Sequence, residues 1–70
     1  MEEIKDEQLK DFLEWYHWHY RKGTAFEAAI QMSLMGHFHL GVRQTRPLLQ
    51  RCLALGFIQK ARNGLIHLNV

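Results

Sequence analysis

The chain has 70 residues, 47% of them hydrophobic, and a formal net charge of +2. That length holds one domain, residues 1–70, with one small core, and the hydrophobic content excludes a disordered chain. One proline, five glycines, a single cysteine and no apolar run approaching about 20 residues exclude a divided chain, an intrachain disulfide framework and a membrane span. The acidic start, Met1 to Glu7, is the opposite of a secretory signal, and the lone Cys52 fits a reducing compartment. The expected location is cytoplasmic, on the nucleoid if the source is bacterial.

A first helix is predicted over Lys5 to Arg21, closed by Gly23. Leu9, Phe12, Leu13, Tyr16 and Tyr20 recur at three- and four-residue spacing on its inner face. Trp15 and Trp18 cluster with Ile4 on nearly the opposite side, giving a short helix a second apolar face. Ile4, Trp15 and Trp18 are therefore expected to form a homodimer seam or a docking surface for a partner protein. The alternative is a chain terminus folded over the tryptophans.

Thr24-x-x-Glu27 reads as a capping box, which predicts a second helix from Ala25 to about Met35 with Gly36 as its stop. Its expected buried face is Phe26, Ala29, Ile30, Ser33 and Leu34. Between Gly36 and the third helix, Phe38, Leu40 and Val42 alternate as in an extended segment with those three inward. The third helix is expected from Gln44 to Leu55, with Pro47 in its first turn, where a missing N–H is tolerated. Thr45, Leu48, Cys52 and Leu55 form the predicted buried stripe, with Leu49 at its edge.

Asn63-Gly64 signals a hairpin with a two-residue type I′ turn. That turn pairs Arg62 with Leu65, Ala61 with Ile66, Gln59 with Leu68 and Phe57 with Val70. The register puts Phe57, Ala61, Ile66, Leu68 and Val70 inward, and Ile58, Lys60, Arg62, Leu65, His67 and Asn69 outward. The expected fold class is α+β, mostly α: three helices followed by a C-terminal β-hairpin wing.

Charge divides the chain. Residues 1–27 hold all seven acids against four cations, a balance of −3, whereas residues 28–70 hold Arg43, Arg46, Arg51, Lys60 and Arg62 with no acid. Such asymmetry lets one face attract a polyanion. The alternative is a solvated basic face with no partner.

From Thr24 to Val70 the chain resembles a winged helix-turn-helix domain. Leu40-Gly41-Val42 matches the turn, and Thr45, Leu48, Cys52 and Leu55 match the inner face of the recognition helix. Gly56-Phe57-Ile58 matches the exit into the wing. Gly41 to Gly56 also resembles the DNA-reading end module of bacterial chromosome translocases. The small residues and asparagine of that module are Val42, Arg43, Thr45 and Arg46 here, so the likeness is to the superfamily and to no subfamily.

The resemblance implies binding of double-stranded DNA by a transcriptional regulator or a replication or recombination accessory factor. A free-standing chain this short is typical of phage, plasmid and small bacterial regulators. In the helix-turn-helix docking geometry Arg43, Gln44, Arg46 and Gln50 would face base edges, since arginine matches guanine and glutamine matches adenine. Arg51 would reach a phosphate, and Lys60, Arg62 and Asn63 of the wing would meet backbone or minor groove. The alternative function is a protein-interaction winged helix that uses Trp15 and Trp18 and no nucleic acid.

No cofactor or metal is expected. His17 and His19 diverge on a helix, His37 and His39 share a face only if extended, and Cys52 lies on a predicted core stripe. An enzyme is not expected either, because the chain has no glycine-rich phosphate loop and its only serine, Ser33, is on a predicted core face.

Overall fold

A computed structural model describes residues 4–70; residues 1–3, with Glu2 and Glu3 of the acidic start, lie outside the described residues. Helix α1 spans Asp6–Tyr20 and buries Leu9, Phe12, Leu13 and Tyr16. Tyr20, expected inward, is half exposed. The helix ends through Arg21 in the left-handed region (φ 53) and not through Gly23.

The Thr24 capping box does not form. Thr24–Phe26 is instead strand β1, and helix α2 begins at Glu27 and runs to Phe38. Capping by threonine contributes about 1 kcal/mol. Pairing these residues adds a third strand to a hairpin that alone would be marginal. The longer-range contact wins, and Phe26, expected to be buried, points into solvent, as does Ala29. Ile30 and Leu34 hold the inner face of α2.

Gly36 does not stop α2. The helix passes through it and brings Phe38 against the core, with the Phe38 ring 6.0 Å from that of Phe12. His39 then takes the left-handed conformation (φ 56), and the Met35 carbonyl accepts from the N–H groups of His39 and Leu40. The expected extended segment is therefore one helical turn and a tight connection, with Val42 exposed.

Helix α3 spans Val42–Ala54, starting two residues before the predicted point, so Pro47 lies in its interior. The missing N–H leaves the Arg43 carbonyl without its helical donor, on an exposed residue that water reaches. The early start is held by side chains. Gln44 Oε1 accepts from the Gly41 N–H at 2.9 Å, and the Thr45 hydroxyl donates to the Val42 carbonyl at 2.8 Å. Thr45, Leu49 and Cys52 form the buried stripe; Leu48 is only half-buried and Leu55 is exposed. The stripe is rotated toward α2, where Gln31 Nε2 donates to the buried Thr45 hydroxyl at 3.2 Å. Gly56 ends α3 as expected. At φ 79 it lets its own N–H reach Leu53 and that of Phe57 reach the Cys52 carbonyl.

The wing turns at Asn63-Gly64, both at positive φ, with the Leu65 N–H donating to the Arg62 carbonyl. Beyond the turn the predicted register is wrong by one. Strand β2, Ile58–Lys60, pairs with β3, Leu65–Leu68, as Ile58 with Leu68, Gln59 with His67 and Lys60 with Ile66. Ala61 and Arg62 together oppose Leu65, since the Ala61 N–H donates to the Leu65 carbonyl at 2.8 Å. That bulge flips β2 over. Ile58 turns inward beside Ile66 and Leu68, Ala61 turns outward, and Lys60 moves to the inner face of the sheet.

The sheet order is β1-β3-β2, antiparallel throughout, with β3 central. The core joins the inner stripes of all three helices to Ile58, Ile66 and Leu68. Among the described residues no helix is long and apolar enough to cross a membrane.

Candidate nucleic-acid interface

Helix α3 shows its polar side to solvent because Thr45, Leu49 and Cys52 commit the other side to the core. Arg43, Pro47, Gln50 and Ala54 lie opposite that stripe, with Arg46 on the flank toward α2; all five are exposed. Beside them is a cleft of ≈ 380 Å³ between α2, α3 and β2, lined by Glu27, Gln31, Arg46, Gln50 and Lys60 over a floor of Leu49 and Leu53. The bulge makes this grouping. In the predicted register Lys60 would project from the opposite face of the wing, whereas here it joins Arg46 and Gln50 on one surface.

Two predicted site residues are committed elsewhere. Arg51 Nε lies 2.8 Å from Asp6 Oδ1, as an ion pair and not an aligned hydrogen bond, and its terminal nitrogen donates to the Ile4 carbonyl. Arg51 therefore ties the start of α1 to α3. Gln44 spends its carbonyl oxygen on the Gly41 N–H at the start of α3. Arg62 and Asn63 are exposed at the wing tip, apart from the cleft.

Glu27 and Gln31 are not legible in the sequence as site residues, and Lys60 is expected at the site but on the outward face of the wing. Glu27 had a plausible role as a capping partner, and no local signal marks the bulge at Ala61. Glu27 is also the last acid before the acid-free segment, and it faces the basic cleft.

The predicted seam on α1 separates into three environments. Ile4 is half-buried against the core, and its carbonyl is held by Arg51. Trp15, 44% exposed, belongs to an aromatic group, stacked on His19 at 5.0 Å and tilted against His37 at 5.5 Å. Trp18 is 80% exposed and lines a cavity of ≈ 650 Å³ with Glu14, His17, Arg21 and Val70. His17 Nδ1 lies 3.3 Å from the Val70 carbonyl oxygen.

Cys52 is buried where α3 meets the core. Burial pushes its thiol up to about 11, against a smaller lowering by Arg51 and a raising by Asp6. A thiol so held is protonated near neutrality and is a packing group, not a nucleophile. Comparison with protein-family models, curated proteins and solved structures returns no match.

Proposed function

We propose that this chain is a winged helix-turn-helix domain that binds duplex DNA, with α3 in the major groove and the wing against the neighbouring backbone. The observation that carries the reading is the joint placement of Arg43, Arg46, Gln50 and Lys60 on one exposed surface. Residues 28–70 set no acid against them. Two arginines and a glutamine are the side chains best matched to guanine and adenine edges. A helix placed there is steadied by phosphate contacts, for which Lys60 and Arg62 are available. This is the activity of a transcriptional regulator or of an accessory factor in replication or recombination.

The test is a binding titration on random duplex DNA at several salt concentrations. With Arg51 engaged inside the chain, three to four phosphates remain to be neutralised, so log affinity should fall against log salt with a slope of about −2.7 to −3.6. A flat salt response, or no binding at low salt, removes the DNA reading and favours a protein-interaction module built on α1.

A further inference from the structure

We propose that the outward face of α1 is the contact surface for a second copy of this chain, each Trp18 seated in the other copy's cavity beside Glu14 and Arg21. The inference is independent of the DNA reading. Glu14 and Trp18, four residues apart, share the outer side of the helix, and Arg21, in the left-handed cap that ends it, lines the same cavity. Trp18 is the most exposed large apolar side chain among the described residues, and the cavity beside it, ≈ 650 Å³, is bounded by these same three residues with His17 and Val70. Its neighbour Trp15 is already packed on His19 and His37, so Trp18 alone is left as an anchor.

The charges say which occupant fits. Among the described residues neither Glu14 nor Arg21 makes an ion pair within its own chain. Glu14 lies four residues before Trp18 and Arg21 three after it. If two α1 helices cross antiparallel about a two-fold axis at Trp18, Glu14 of each copy meets the partner's Arg21. A parallel arrangement would set Glu14 against Glu14. The surface is thus self-complementary in one orientation, which is what an isologous contact requires. Exposed ion pairs fix orientation more than they add affinity, and the buried indoles supply the anchor.

Sedimentation equilibrium on the full chain, from about 1 µM to about 1 mM, covers the range expected of a contact this small. A monomer–dimer equilibrium is expected. Trp18→Ala should weaken it at least about 30-fold, the scale of a hot-spot residue. That variant should keep the wild-type circular dichroism, because the side chain is mostly in solvent. Glu14→Arg alone and Arg21→Glu alone should each weaken the dimer about tenfold, and the two together should restore it to within about threefold. A chain that stays monomeric throughout overturns the proposal. So does a dimer indifferent to Trp18→Ala, or one that the double charge exchange fails to restore.

Discussion

Helices α1 and α3, of 15 and 13 residues, bury stripes in the same core: Leu9, Phe12, Leu13 and Tyr16 from one, Thr45, Leu49 and Cys52 from the other. Their outward faces diverge. α1 presents Glu7, Asp11 and Glu14 with a bare Trp18, whereas α3 presents Arg43, Arg46 and Gln50 with no acid on the helix. Burial constrains the inner stripes to apolar or hydrogen-bonded side chains whatever the protein does. Only the outer stripes are free to be acidic and aromatic on one helix and basic on the other, so the functional information lies there. Where the two helices meet, Arg51 and Asp6 join them, and a cation of the basic half becomes part of the scaffold.

The sharpest test of inner against outer lies within α1. Phe12→Ala should cost about 3–5 kcal/mol, because a fully buried ring leaves a cavity among Trp15, Tyr16, His37 and Phe38. Trp18→Ala, six residues along the same helix, should change monomer stability by no more than about 0.5 kcal/mol. Urea unfolding of both variants at low concentration checks the pair. Equal losses would mean that Trp18 belongs to the core.

Next in size is the junction of the two helices. Unfolded Cys52 ionises near 9.0 and folded Cys52 near about 11. At a pH between these values only the unfolded chain releases the proton, so stability is intact below about pH 9 and falls as pH rises toward 11. The full loss is about 2–3 kcal/mol. Tyr16, also raised by burial, acts in the same direction. Cys52→Val should flatten part of the alkaline slope in thermal melts taken from pH 8 to about 11. An unchanged slope would place the titration elsewhere.

What could be read from the sequence was whatever local chemistry decides. The extent of α1, the Gly56 stop of α3 and the turn at Asn63-Gly64 each depend on residues within a few positions of one another. Contacts distant in sequence decided the rest. Thr24 could cap a helix or pair with His67, and nothing near Thr24 says that β3 will be there to pair with. The bulge at Ala61 is favoured because it turns Ile58 toward Ile66 and Leu68, a gain visible only once the helices cover that face. The same holds for the candidate site. Arg43, Arg46 and Gln50 were legible from the phase of α3, but the company of Lys60 and the engagement of Arg51 depend on a strand register and on a second helix.

The outer faces themselves should respond on a scale of about 1–3 kcal/mol. Arg46→Ala should weaken binding to a selected duplex by that amount and relax base preference. Lys60→Ala should also shift preference slightly, since Lys60 shares the cleft of Arg46 and Gln50. Arg51→Ala should leave the salt slope unchanged while lowering stability, because its partners are Asp6 and Ile4. Glu27→Gln should raise affinity for all duplexes about two- to fivefold by removing the one carboxylate that lines the cleft among the described residues. These outcomes are read by titrating each variant on a selected and on a random duplex. A salt slope that becomes shallower with Arg51→Ala would return Arg51 to the phosphate contacts.

The smallest expected effects test the connection between α2 and α3. Gly36 sits in the interior of a helix, and a methyl group added there meets nothing within 4 Å. Gly36→Ala should therefore stabilise the fold by about 0.5–1 kcal/mol, by reducing the freedom of the unfolded chain and raising helix propensity. His39, at φ 56, holds the left-handed position that ends α2, where glycine is free of the Cβ penalty. His39→Gly should thus gain a few tenths of a kcal/mol, the relief of strain offset by greater unfolded-state freedom. The two substitutions run in opposite directions, glycine removed at one position and introduced three residues on, yet both stabilise, and that makes the pair diagnostic. If α2 stopped at Gly36, as a reading of local signals alone suggests, Gly36→Ala would be the destabilising change and His39→Gly would do nothing. Thermal melts of the two variants decide between these boundaries, and with them whether Phe38 is carried into the core on a helix.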